Sequence, residues 1–174
     1  VSFSKRPADA PPFTDVHSNA WYYKPVKYVY DNHLMVGLDD TTFSPDGAVT
    51  RAMVWAVLAR EADATLKEGE QWYSGAQQWA IENGVSDGLH PLQAVSREEL
   101  VTMIHRYHDT PSGHDDLSHF TDKDTISPWA FEAMQWGVDV GLVSGLDNHT
   151  LAPKSGASRA QLAAMLMRYI ENIA

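Results

Sequence analysis

The sequence predicts an all-α protein built from three helix–loop–helix repeats, and three observations carry that prediction. A short phrase recurs at Thr50-Arg51-Ala52-Met53, Ser96-Arg97-Glu98-Glu99 and Ser158-Arg159-Ala160-Gln161, each time ahead of an apolar run with helical spacing. Trp21, Trp72 and Trp129 each stand 16 residues before a glycine: Gly37, Gly88 and Gly145. From that glycine to the arginine of the phrase the chain runs 14 residues in the first and third copies but 9 in the second, so one loop has lost five residues. Tryptophan-to-tryptophan steps of 51 and 57 residues mark three diverged copies of one unit.

The first helix of each unit is expected over about residues 22–32, 73–83 and 128–140. Tyr28, Trp79 and Trp136 fall seven residues after the tryptophans, close to two helical turns, so each pair shares a face. Ser127-Pro128 reads as a helix start, serine as cap and proline at the first position. Pro25 would cost about 3 kcal/mol inside a helix, so the first helix is expected to begin near Lys24 or to be irregular before it. Gly84 and Gly141 supply the left-handed residue that ends a helix, and Asn32-His33 takes their place in the first copy, with Asn the more tolerant residue.

A polar loop follows, in which Phe43 and Leu151 occupy one place and each precedes a proline by two residues. One apolar side chain can pin such a loop to the core while proline and glycine set its turns. The second helix begins at the arginine. Ser96 with Glu99, and Ser158 with Gln161, form complete capping boxes, whereas Met53 leaves only the Thr50 half of the first. Val54, Val57 and Leu58, with their counterparts in the other copies, form one apolar stripe.

Arg60, Arg106 and Arg168 lie near the far ends of these helices, where the dipole favours a cation and no further reason is needed. Arg51, Arg97 and Arg159 sit at the opposite ends, where the dipole disfavours them by a few tenths of a kcal/mol. An unfavourable choice made three times implies an anion. A further shared phrase, Phe13-Thr14-Asp15 and Phe120-Thr121-Asp122, has no counterpart before Trp72; Asp15 and Asp122 either cap a turn or contact a ligand.

Composition narrows the function. With 13 Lys+Arg against 23 Asp+Glu the formal net charge is −10, and no basic patch stands out, which argues against nucleic acid as a partner. There are no cysteines, so disulfides and thiolate metal sites are excluded. No window approaches the roughly 18–20 consecutive apolar residues that span a bilayer, so no membrane insertion is expected. Residues 1–12, with Lys5, Arg6 and three prolines but no apolar stretch, read as a linker, and any export signal is expected outside this sequence. No catalytic constellation is recognisable and nothing calls for a cofactor, so no enzyme is expected. His105, His108, His114 and His119, with Asp115 and Asp116 among them, are a weak metal candidate set against ordinary surface histidines, because no established ligand spacing appears.

Taken together, the Phe-x-Asp opening, the tryptophan, the glycine before the loop, Phe43-Ser44-Pro45-Asp46 and the Thr-Arg-Ala phrase resemble the S-layer homology domain, in three tandem motifs. The resemblance spans residues 13–172 and is weaker in the second copy. It divides the chain into motifs at 13–66, 67–112 and 113–174 that make one folded unit. The family implies a pseudo-threefold all-α body around a central three-helix bundle, with grooves between neighbouring units. It also implies an extracellular module of the cell wall or S-layer, fused to a cargo domain, that binds a secondary wall polysaccharide through a pyruvate ketal. The ligand contacts it implies are Arg51, Arg97 and Arg159 with Gly37, Gly88 and Gly145. A guanidinium fork suits a carboxylate, free helix N-terminal amides would add donors, and a glycine admits a sugar to the backbone. Trp21, Trp72 and Trp129 either stack on sugars or belong to the core.

Two departures bear on the sites. Met53 replaces the family's acidic residue, so the first site is expected to be less organised, and the deletion near Arg97 is expected to impair or alter the second. A variant reading is peptidoglycan bearing a cationic polyamine, which suits the acidic balance but not the arginines. Another is a structural assembly module whose arginines pair with neighbouring carboxylates.

Overall fold

The computed structural model describes residues 10–174, so the first nine residues of the expected linker lie outside the described residues. Six α-helices follow in order: α1 Tyr23–Asp31, α2 Arg51–Glu61, α3 Ser74–Glu82, α4 Arg97–Tyr107, α5 Phe131–Asp139 and α6 Arg159–Asn172. They are the two helices of each unit, and the described residues contain no strand beyond isolated bridges.

Local signals place most boundaries. Pro25 is the third residue of α1, in the first turn, where its missing N–H has no intrahelical acceptor to lose. The left-handed residue after α1 is His33 (φ 58°), aligned with Gly84 (69°) and Gly141 (77°); Asn32 keeps a negative φ and bonds its amide side chain back to Tyr28 O. The first copy thus holds the turn with histidine rather than asparagine. Ser127-Pro128 opens a short 3₁₀ turn, Pro128–Ala130, and α5 starts only at Phe131. Ser127 does not cap that turn, because its hydroxyl is committed to Glu98.

Three capped starts mark α2, α4 and α6. Ser96 and Ser158 hydroxyls accept from Glu99 N (3.3 Å) and Gln161 N (3.1 Å), and the third-position side chains return the bond. In α2 the methionine closes the box after all: Thr50 Oγ1 accepts from Met53 N at 3.3 Å, and Thr50 N approaches Met53 Sδ at 3.5 Å. Sulfur is a weak acceptor, but the geometry of the turn is kept.

The residues just before these caps join the units. Val95 N donates to Val49 O (2.8 Å), Val49 N to Ala157 O (3.3 Å) and Ala157 N to Val95 O (3.0 Å), a closed ring of three backbone hydrogen bonds with all three side chains buried. A ring in which each member donates to the next is what pseudo-threefold symmetry requires. At the far ends of the same helices, the equivalent residues Glu61, Tyr107 and Tyr169 meet. The Tyr107 hydroxyl donates to the Glu61 carboxylate, and the Tyr107 and Tyr169 rings lie 5.9 Å apart. Burial and the Glu61 and Asp109 charges push the Tyr169 hydroxyl up to about 12.

Each first helix packs on the second helix of the preceding unit: α3 on α2, α5 on α4, and α1 on α6. The last pair brings the two ends of the described chain together and closes the ring. Gly137 lets α5 approach α4, since a Cβ there would stand 3.2 Å from Val101 and 3.3 Å from Val143. Phe43 and Leu151 are wholly buried and pin their loops as expected, whereas the corresponding residue of the shortened loop, Leu89, is exposed. The repeat legible in sequence is therefore not the unit that packs.

Candidate functional site: the inter-unit grooves

Each arginine of the recurring phrase enters the loop of the next unit. Arg51 Nε donates to Leu89 O (2.8 Å), Arg97 Nε to Leu151 O (2.9 Å) and Arg159 Nε to Phe43 O (2.7 Å). Counted from the loop glycine and allowing for the deletion, these are one acceptor in three copies. The helix N-terminal amides are spent on the same loops: Arg51 N, Arg97 N and Arg159 N donate to Gln93, Ser155 and Gly47, and the next amide of each helix to Pro91, Pro153 and Pro45. They are therefore not the free donors that the sequence suggested.

Asp15 and Asp122 hold the loops from beneath. Asp15 accepts from Phe43 N (3.0 Å) and Ser44 N (2.7 Å), and Asp122 from Leu151 N and Ala152 N (both 2.9 Å). Ser44 and Ala152 have φ of 60° and 48°, strained for residues with a Cβ, and the carboxylates hold them there. The second unit lacks that aspartate, and Asp87 replaces it by accepting from Leu89 N at 2.9 Å. Gly37 and Gly145 face the Phe13 and Phe120 rings, and an added Cβ would stand 2.4 and 2.6 Å from them. Room for these rings is thus one reason for glycine there, besides any approach of a sugar. Gly88, in the unit without such a phenylalanine, faces Ile81 instead.

The three arginines differ in what meets the guanidinium. Arg51 is held by Asp87 (2.9 Å), Glu99 (3.2 Å) and Ser86 Oγ (3.0 Å). Arg159 is 6% exposed, donates from Nη2 to Val36 O at 2.6 Å and lies over the Phe43 ring, 4.6 Å from its centre. Arg97 is equally buried, yet beyond its Nε bond its terminal nitrogens have no acceptor among the described residues. They line a groove of about 790 Å³ with Arg168, Ser144, Gly145, Gln161 and Trp21. Burial first and then the Arg168 charge push the Arg97 guanidinium down, with Asp122 opposing. An anion in this groove would relieve both unfavourable effects.

This overturns the expectation that the deletion impairs the site at Arg97. Arg97 enters the third unit's loop, which is full length; the shortened loop faces Arg51, whose groove measures about 210 Å³. The distal arginines also do more than complement a dipole. Arg60 and Arg168 donate to Leu34 O (3.0 Å) and Leu142 O (3.2 Å), and Arg106 and Arg168 line grooves. Sequence reasoning missed Ser144, Gln161 and Arg168 as groove residues. The available signal was Asp87, which precedes its glycine where the other copies have Val36 and Ser144.

Trp21, Trp72 and Trp129 are 64%, 65% and 55% exposed, so they are not core. Trp21 lines the Arg97 groove and Trp129 the Arg51 groove, so each of these grooves combines an arginine, a loop and a tryptophan from three different units. The histidines are engaged separately: His105 Nε2 lies 2.7 Å from Pro111 O and His108 Nδ1 lies 2.9 Å from the Tyr169 hydroxyl. His119 packs on Phe120, and the His114 amide donates to Asp139. Among the described residues no group of three or more candidate side chains is placed to hold a metal ion.

Fold and site define a ring-closed helical repeat module with arginine-lined inter-unit grooves. The chain belongs to the S-layer homology family: residues 12–52 and 119–163 match the S-layer homology domain, and the second unit between them shows its kinship through the backbone equivalences above. Among similar proteins, an amylopullulanase of Thermoanaerobacterium thermosulfurigenes is 27% identical over 91% of this chain and 9% of its own length. A surface-layer 125 kDa protein of Lysinibacillus sphaericus is 26% identical over 95% of this chain and 16% of its own. The chain thus spans about a tenth to a fifth of such relatives, and an enzymatic name there describes a protein most of which it does not cover. An undecaheme cytochrome from the S-layer of Carboxydothermus ferrireducens shares the fold, at a TM-score of 0.50 and 15% identity over 84% of this chain and 20% of that one. The S-layer homology domain is an anchoring module, which places this chain at the cell wall on the outside of the cell. No helix among the described residues is long and apolar enough to cross a membrane.

Proposed function

We propose that this chain anchors a larger surface protein by binding an anionic wall polysaccharide, with a pyruvate ketal carboxylate as the group recognised. The observation that carries this reading is Arg97: a buried guanidinium with unspent donors that lines an open groove together with a second cation, Arg168. A fork of N–H donors suits a carboxylate, and Trp21 offers a flat face for the attached sugar. In this reading Gly145 and Arg168 join Arg97 at the ligand, Asp15 and Asp122 shape the loops, and the three motifs act as one module with cargo elsewhere in the polypeptide. The chain itself catalyses nothing.

Isothermal titration with a synthetic pyruvylated wall-sugar unit tests the proposal. Binding that is lost in Arg97→Ala and weakened at least tenfold in Arg168→Ala, in proteins whose circular dichroism is unchanged, supports it. A folded wild type that gives no heat overturns it, and the next ligand to titrate is polyamine-bearing peptidoglycan.

A further inference from the structure

Two grooves of this molecule are built alike and filled differently. In the Arg51 groove, Asp87 and Glu99 approach the guanidinium from two sides, at 2.9 and 3.2 Å, and Ser86 Oγ takes a further N–H. Both terminal nitrogens of that fork are already bonded within the protein. In the Arg97 groove the corresponding positions are Ser144 and Gln161, one residue before the loop glycine and third in the following helix. Both are neutral. The Gln161 side-chain oxygen is turned back to Ser158 N (3.2 Å), and neither residue bonds Arg97. The lining charges follow: Arg97 and Arg168 against Asp147 alone, but Arg51 and Arg106 against Asp87 and Glu99. At the third arginine, Val36 and Met53 stand at the two positions, and Arg159 gives Nε and Nη2 to the backbone carbonyls of Phe43 and Val36.

We infer that Asp87 and Glu99 are internal stand-ins for the ligand's carboxylate, so that this chain binds its anionic ligand in one groove only, and that Ser144 and Gln161 are the specificity-determining residues that keep the Arg97 groove open. A bound anion at Arg51 would have to displace two carboxylates already in place, and its charge would be repelled by both. At Arg97 it would meet unspent donors and a local excess of positive charge.

This inference rests on the anion-binding reading above, and the two fail in different ways under one experiment. The pyruvylated sugar unit is titrated against the wild type, against Asp87→Ser with Glu99→Gln, and against Ser144→Asp with Gln161→Glu. Each pair transplants side chains from one groove to the other. The expected result is one site per chain in the wild type, two in the first variant, and at least a hundredfold weaker binding in the second. Arg51→Ala in the first variant should return the count to one. Wild-type binding at two or more sites, or a count and affinity unmoved by both exchanges in folded protein, overturns the inference while leaving the anion-binding reading standing. No wild-type binding at all overturns that reading, and this inference with it.

Discussion

Arg159 donates from Nε to the carbonyl oxygen of Phe43 at 2.7 Å, and its guanidinium carbon lies 4.6 Å from the centre of that residue's ring. A residue of the third unit thereby closes the first unit's loop, 116 positions away in sequence. Two of its three nitrogens are thus bonded to backbone carbonyls of the first unit.

Arg159→Ala should therefore destabilise the protein by about 3 kcal/mol, since it leaves Phe43 O and Val36 O without their donor and removes a buried cation–ring contact. Urea denaturation checks this, and the loss should come with unchanged affinity for the pyruvylated sugar per folded molecule. A variant as stable as the wild type would contradict the assignment.

Asp15→Ala and Asp122→Ala should each cost about 2 kcal/mol, because each frees two loop amides and releases a left-handed residue, Ser44 or Ala152. Hydrogen exchange should quicken at Phe43 and Ser44 in the first variant and at Leu151 and Ala152 in the second. Only Asp122→Ala should also weaken ligand binding, because only its loop walls the Arg97 groove.

Glu98 provides a pH dependence. It is 2% exposed and accepts from Ser127 N (2.9 Å), Ser127 Oγ (2.7 Å) and Lys154 Nζ (2.7 Å) across a unit boundary. Burial works to raise its carboxyl, but the Lys154 and Ser127 hydrogen bonds outweigh that and hold it below the ordinary range. A folded-state value below the unfolded one contributes stability above the unfolded value, about 4.3, and loses it as pH falls through the folded value. Thermal unfolding between pH 7 and pH 3 should show the wild type losing more stability than Glu98→Gln. Parallel curves would contradict it.

Salt should weaken the proposed anion binding. The whole chain carries −10 and repels an anionic polymer at long range, while the groove attracts its carboxylate at contact. Titration of the small sugar unit between 0.05 and 0.5 M salt, on the order of a threefold change in Debye length, should show affinity falling; an affinity that rises with salt would contradict a carboxylate–guanidinium contact.

What the sequence determined by itself was local or periodic. The caps at Thr50, Ser96 and Ser158, the loop pins Phe43 and Leu151, and the left-handed turns at Gly84 and Gly141 are set by neighbouring residues, and the three-copy spacing showed that they recur. It also pointed to Arg51, Arg97 and Arg159 as residues placed against the helix dipole. Which loop each arginine enters was decided only by the tertiary structure, because the acceptors lie 38 to 116 residues away and the units interlock around a closed ring. The five-residue deletion therefore acts on the arginine of the preceding unit, Arg51, and leaves Arg97 in front of an intact loop. The recurring motif became three different environments because each guanidinium meets what its neighbour presents: two carboxylates, two carbonyls, or an open groove.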